Sequence, residues 1–132
     1  MNDIFAFNDE PREEIVITRY VDAVLVRPGM HQPERIKVAT CDIDTYLYAL
    51  ALHKQEAIFI SGGKTSDDLT NAVHRFCLNT YQLTNAPPMV QKRRWHSSTA
   101  VGDVLAVFGG WANDADLSDI EILNLAQEDQ SW

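Results

Sequence analysis

Two short apolar runs, each closed by a pair of glycines, set the pattern of the chain. Ala57-Ile58-Phe59-Ile60-Ser61 ends at Gly62-Gly63, and Val104-Leu105-Ala106-Val107-Phe108 ends at Gly109-Gly110. Runs rich in β-branched and aromatic residues predict strands. A glycine pair behind such a run lets the backbone take positive φ or approach a second backbone closely, since no Cβ intervenes. The pairs lie 47 residues apart, and the same offset aligns Val73 with Ile120, Phe76 with Leu123 and Leu78 with Leu125. A period of roughly 50 residues lies in the range of repeat architectures.

The flanking segments complete the repeated unit. Ser97–Val101 runs through Gly102-Asp103 into the second apolar strand, and Gly-Asp between two strands predicts a two-residue hairpin loop. In the first unit, residues 46–52 are expected as a strand, with a helix as the alternative because Ala and Leu are strong helix formers. A turn at His53-Lys54-Gln55-Glu56 follows, then the polar loop 64–68, strands over 70–78 and 82–86, and a crossing at Pro87-Pro88. The second unit predicts a fourth strand anchored by Trp132. Residues 1–45 fit a degenerate unit that begins at its second strand. Ile4 to Phe7 matches 105–108, with Asn8-Asp9 in place of glycines, and 21–26 echoes 120–125. Arg27-Pro28-Gly29 is a turn and 35–40 an outer strand, while a short helix around 11–20 is the rival reading.

Strand, tight turn, strand, Gly-Gly, polar loop, strand and a further strand resembles the kelch repeat, the four-stranded blade of a β-propeller. The second unit carries the likeness in Arg94, His96, Gly109, Gly110, Leu117, Ile120-Glu121 and Trp132. The first carries it in Gly62, Gly63, Leu69, Val73, Phe76 and Pro87-Pro88-Met89. Departures are Leu83 where the family favours Trp, Ala49 where the second unit has His96, and Leu123 at the strand aromatic. The resemblance implies an all-β chain: a degenerate partial blade or irregular segment at 1–45, then blades at 46–89 and 90–132. Propellers usually close with about 4 to 8 blades. The expectation is therefore an incomplete propeller: a fragment, a truncated product without activity of its own, or a subunit completed by other copies. Its open blade edges invite self-association.

Charge narrows the partners. Eleven basic against nineteen acidic residues give a formal net charge of −8. That argues against nucleic-acid binding, which needs cations to neutralise phosphates, and against anionic membranes. No stretch approaches the roughly 20 apolar residues of a membrane span. The start of the chain has no secretory pattern, and Cys41 and Cys77 form no disulfide framework, so a cytoplasmic setting is expected.

No cofactor, metal site or catalytic group is expected. Gly63-Lys64-Thr65 lacks the earlier glycine of a phosphate loop, since position 58 is Ile. His74 and Cys77 fall on opposite faces of a strand, and Cys77 is expected to be buried. Asp42, Asp44, Asp114 and Asp116 suit solvated loops, and Ser97 beside His96 has no orienting third group. The concentrated positive charge is Lys92-Arg93-Arg94 beside Trp95. Trp and Arg are typical of binding hot spots, although packing at the core edge is the commoner role for such residues. The resemblance places Tyr48, Arg94 and Trp95 before the inner strands, and Lys64, Trp111 and Asn113 after the glycines, on the face around the central channel. An Arg-plus-aromatic pocket suits an acidic peptide segment. The implied function is a protein-interaction module, as in substrate adaptors of ubiquitin ligases or actin-associated proteins. The alternative is part of a propeller enzyme of oxidase or epimerase type.

Overall fold

A computed structural model describes residues 45–127 and 129–132 in full, with His31 and Gln32, and four strands nearer the N-terminus as backbone. Those four are β1 (Asp3–Ala6), β2 (Glu14–Ile17), β3 (Ala23–Val26) and β4 (Glu34–Ile36), which pair antiparallel in chain order. Glu14–Ile17 is thus strand where a helix was the rival, and it takes the second place in this sheet. The strand at Asp3–Ala6 is therefore the first, and not the second as the match to 105–108 implied. β-Branched residues at three of the four positions of Glu14–Ile17 favour its strand form. The Asn8-Asp9 pair, the turn at 27–29, residues 37–40, Cys41, Asp42 and Asp44 lie outside the described residues.

The second sheet has the same plan. β5 (Ala49–His53), β6 (Ala57–Ser61), β7 (Val73–Cys77) and β8 (Leu83–Ala86) form a four-stranded antiparallel meander. Next come β9 (Ser97–Val101), β10 (Val104–Phe108), the short ribbon β11 (Trp111–Ala112) with β12 (Ala115–Asp116), and β13 (Ile120–Asn124). β9, β10 and β13 make the third sheet in the order β13-β10-β9. The described chain is all-β, with open antiparallel sheets consistent with an incomplete propeller. Among the described residues no helix is long and apolar enough to cross a membrane.

Packing explains the composition of the central run. β6 is buried at all five positions. Its Ala57 and Phe59 meet Leu105 and Val107 of β10 and Leu123 of β13 in one core with Ala51, Val73 and Met89. On its other face Ile58, Ile60 and Phe76 are also buried. β10 instead alternates, with Leu105 and Val107 in and Val104 and Phe108 out, the pattern of a sheet covered on one face.

Three expectations change. No fourth strand joins the third sheet among the described residues: Trp132 packs on the core and donates its Nε1–H to Pro87 O at 2.6 Å. Cys77 is half-buried rather than buried. The repeat offset also shifts. The β5–β6 turn holds three residues, Lys54-Gln55-Glu56, against two in Gly102-Asp103, so upstream of it positions match at 48. Ser97 then corresponds to Ala49 and His96 to Tyr48, not to Ala49, because Ala49 pairs with Ser61 as Ser97 pairs with Phe108.

Three of the four paired glycines, Gly62, Gly63 and Gly110, are steric necessities. A Cβ on Gly62 (φ +58°) would lie 2.6 Å from Arg93 O, and one on Gly110 (φ +93°) 2.5 Å from Arg94 O. Gly102, at φ +57°, has nothing within 4 Å of that position. Gly102→Ala is therefore expected to cost only the left-handed backbone penalty, about 1 kcal/mol. Gly62→Ala or Gly110→Ala adds a clash with backbone and should cost about 3 kcal/mol or more. Urea unfolding of the three variants measures the difference.

Candidate functional site

The segment between the second and third sheets, residues 87–96, positions everything at the candidate site. Its fixed point is Arg93, whose side chain is fully buried. Arg93 Nη1 donates to Gly109 O at 2.8 Å, and Nη2 donates to Asp119 Oδ2 at 2.8 Å and to Glu121 Oε1. Glu121 in turn accepts the backbone N–H groups of Val90 (2.6 Å) and Gln91 (3.0 Å). The main chain of Arg93 faces the other way: its carbonyl accepts from Gly63 N–H at 2.7 Å. One residue thus ties the glycine pair of the second sheet to β13 of the third. Burial opposes charge on this guanidinium, but the two carboxylates outweigh it and raise its pKa. The hydrogen bond from Arg93 likewise holds the Asp119 carboxyl below its usual range.

His96 closes the same joint. It is nearly buried, and its Nε2 lies 3.0 Å from the buried Ser61 Oγ at the end of β6. Desolvation, followed by the charge of Arg93, depresses its pKa to about 4. Among the described residues its Nδ1 has no hydrogen-bond partner. With both groups inside a sheet-to-sheet contact, the pair has no exposed nucleophile to present.

Arg94 points away from this joint. Its guanidinium carbon stands 4.0 Å from the ring centroid of Trp95 and 4.4 Å from that of Trp111, while the two indoles are 6.2 Å apart and inclined at 60°. Backbone pairing fixes the partners: Arg94 and Trp111 exchange N–H···O bonds of 3.2 and 2.9 Å. Trp95 takes φ +54° and remains 59% exposed, a strained conformation for a bulky residue. Below Arg94 opens a cavity of about 330 Å³, bordered also by Lys64, Asp67, Asp68, Leu69, Trp111, Asn113 and Asp114.

Four of the six residues proposed from sequence, Lys64, Arg94, Trp111 and Asn113, line this cavity, and Trp95 stacks beside it on Arg94. Tyr48 does not line it; its backbone nitrogen lies against Gly63, at the position His96 occupies by Gly110. The segment after Gly109-Gly110 is not simply a polar loop. Asn113 and Asp114, at φ +50° and +59°, turn the β11–β12 ribbon, and both residue types tolerate that region. Nor had the spacing pointed to acids in the lining. Asp67 and Asp68 are held there by Thr65, whose Oγ1 accepts both their N–H groups. Lys92 Nζ bonds Asp68 Oδ2 at 2.7 Å, chiefly responsible for lowering the Asp68 pKa.

Compared with models of known protein families and with curated proteins, the chain matches none. Among the described residues no group of three or more His, Cys, Asp or Glu is placed to hold a metal ion.

Removing the buried cation should be expensive. Arg93→Met leaves Glu121 buried without its partner and is expected to cost about 3–5 kcal/mol. Asp119→Asn, at a side chain 40% exposed, should cost about 1 kcal/mol or less. Equilibrium unfolding in urea compares them.

His96 also predicts a pH dependence. Its folded pKa of about 4 lies below the ordinary 6.5, so the unfolded chain binds the extra proton first. The contribution to stability is complete above pH 6.5 and is lost as the pH falls from 6.5 to 4, by about 3 kcal/mol in all. His74, whose pKa is lowered by desolvation, acts in the same direction. The Asp68 and Asp119 carboxylates lose their contribution only below their ordinary 3.8. Unfolding curves across this range should flatten in His96→Gln to the part due to His74.

Proposed function

We propose that this chain is a protein-interaction module of kelch type, which takes a carboxylate-bearing peptide at the Arg94 cavity. The observation that carries the reading is the Arg94 guanidinium at the cavity, its carbon 4.0 and 4.4 Å from the centroids of two indoles. Contact with both indoles restrains the guanidinium, so less side-chain freedom is lost when a carboxylate docks on it. Lys64 adds a second cation on the cavity wall, and exposed Trp95 offers an aromatic surface to the residue next to that carboxylate.

The acids that share the cavity refine the ligand. Asp67 and Asp114 border the same cavity, and the chain carries a net charge of −8. A polyacidic tract would be repelled. A peptide with one carboxylate, flanked by apolar or basic residues, satisfies both sides. Such a module fits a substrate adaptor or a cytoskeletal scaffold, whose work is to present a pocket rather than to transform a ligand.

The test uses capped peptides carrying one central Glu between aromatic and Lys neighbours, and the same peptides with Gln. Fluorescence anisotropy is expected to show binding of the Glu series, weakened roughly tenfold or more by Arg94→Ala. Arg94→Lys should not restore it, since an ammonium lacks the planar fork. Equal binding of Glu and Gln peptides, or no effect of Arg94→Ala, overturns the reading.

A further inference from the structure

The second and third sheets are entered through the same irregular backbone. Tyr46 bridges Lys64 ahead of β5, and Arg94 bridges Trp111 ahead of β9. The residue after each bridge is left-handed: Leu47 at φ +59° and Trp95 at φ +54°. Glycine takes that conformation freely, whereas a residue with a bulky side chain is strained there. Tyr81, at φ +56°, has a compensation, since its ring stacks on the buried Phe76. Leu47 and Trp95 lack that burial. They are 36% and 59% exposed, and neither belongs to the apolar core of the described residues. The scaffold thus accepts strain twice, at equivalent places, in order to display two apolar side chains. Strain of this kind gathers at ligand-binding sites.

We infer that Leu47 and Trp95 form an apolar subsite, which receives one large apolar side chain of the peptide whose carboxylate meets Arg94; this rests on the reading given above and fixes the ligand's second determinant. The two residues adjoin, because Trp95 N–H donates to Leu47 O at 3.4 Å. The Arg94 guanidinium carbon lies 4.0 Å from the Trp95 ring centroid. Neighbouring residues of one extended peptide, at about 3.3 Å each, therefore reach both places. Charge decides what the subsite takes. A basic side chain on Trp95 would meet the cation of Arg94 at close range, and an acidic one is better placed on Arg94 itself. Thr45, Tyr46, Tyr48 and Ala49, which flank Leu47 in the chain, carry no charge to attract either. A basic residue of the ligand belongs instead towards Asp67 and Asp114 in the cavity. Leu47 escaped notice in the sequence because a leucine between two tyrosines reads as the start of the strand that follows.

Four capped peptides test this by fluorescence anisotropy: one Glu with a Phe or an Ala neighbour, and the same pair with Gln in place of Glu. Phe is expected to bind roughly tenfold more tightly than Ala in both series, the Gln series being read at higher protein concentration. Leu47→Gly and Leu47→Ala should each reduce that ratio at least threefold. Their stabilities separate side chain from backbone. Glycine keeps the carbonyl that Trp95 uses and relieves the strain, so the urea midpoint of Leu47→Gly should be no lower than that of the wild type. Leu47→Ala retains the strained φ and should fall below the glycine variant. A Phe-to-Ala ratio near one in the wild type, or an unchanged ratio in both variants, overturns the inference. A glycine variant clearly less stable than the wild type overturns it too, since Leu47 would then serve packing. Loss of the preference for Glu over Gln, with the Phe-to-Ala ratio retained, removes the carboxylate reading and leaves the apolar subsite. Absence of binding by every peptide overturns both.

Discussion

A buried guanidinium is the central tie between two sheets, beside the Ser61–His96 contact and the pairing of His53 and Lys54 with Asp103. Among the described residues no ladder of hydrogen bonds crosses from β6 to β10; the sheets meet through side chains, and apolar contact alone is non-directional. Arg93 supplies the direction. Its carbonyl is fixed by Gly63 N–H, and its side chain is fixed by Asp119, Glu121 and Gly109 O. Glu121 returns along the connecting segment to the N–H groups of Val90 and Gln91. The desolvation cost of one cation and one carboxylate is offset by that set of bonds, and backbone donors that would otherwise be buried unpaired are satisfied by the same atoms.

The glycine pairs follow from that arrangement. Gly62 lies under Arg93 O and the ring of His96, while Gly63 and Gly110 lie under the backbone entering their own sheets. Each position combines positive φ with backbone too near for a Cβ. Two adjacent arginines then divide the work. Arg93 turns inward and is consumed by structure, which anchors the main chain one bond away. Arg94 is thereby set between Trp95 and Trp111 over the cavity. The strain at Trp95 is carried by a segment pinned on both sides of it.

The strands of the second and third sheets were legible because apolar runs, glycine pairs and the Gly102-Asp103 turn are local signals. Other features were not, for identifiable reasons. Arg93 and Arg94 are the same residue type at neighbouring positions, and only the partner carboxylates, 26 and 28 residues away, distinguish them. The match of His96 to Tyr48 was hidden by one extra turn residue, which moves the offset from 47 to 48. Lys54 and Gln55 form that turn at positive φ without a glycine to announce it. Trp132 resembled a strand anchor, yet it serves the core through its ring and Pro87 O through its nitrogen. The acids of the cavity come from loops whose composition reads simply as solvated.

If Arg93 makes one cooperative unit of the two sheets, their central amides must open together. Native-state hydrogen exchange in increasing urea measures this directly at Ile58 and Ile60 of β6 and at Leu105 and Val107 of β10. All four should converge on one opening free energy, equal to that of global unfolding. Exchange of the β10 amides at a clearly lower free energy, while those of β6 remain protected, would contradict the account.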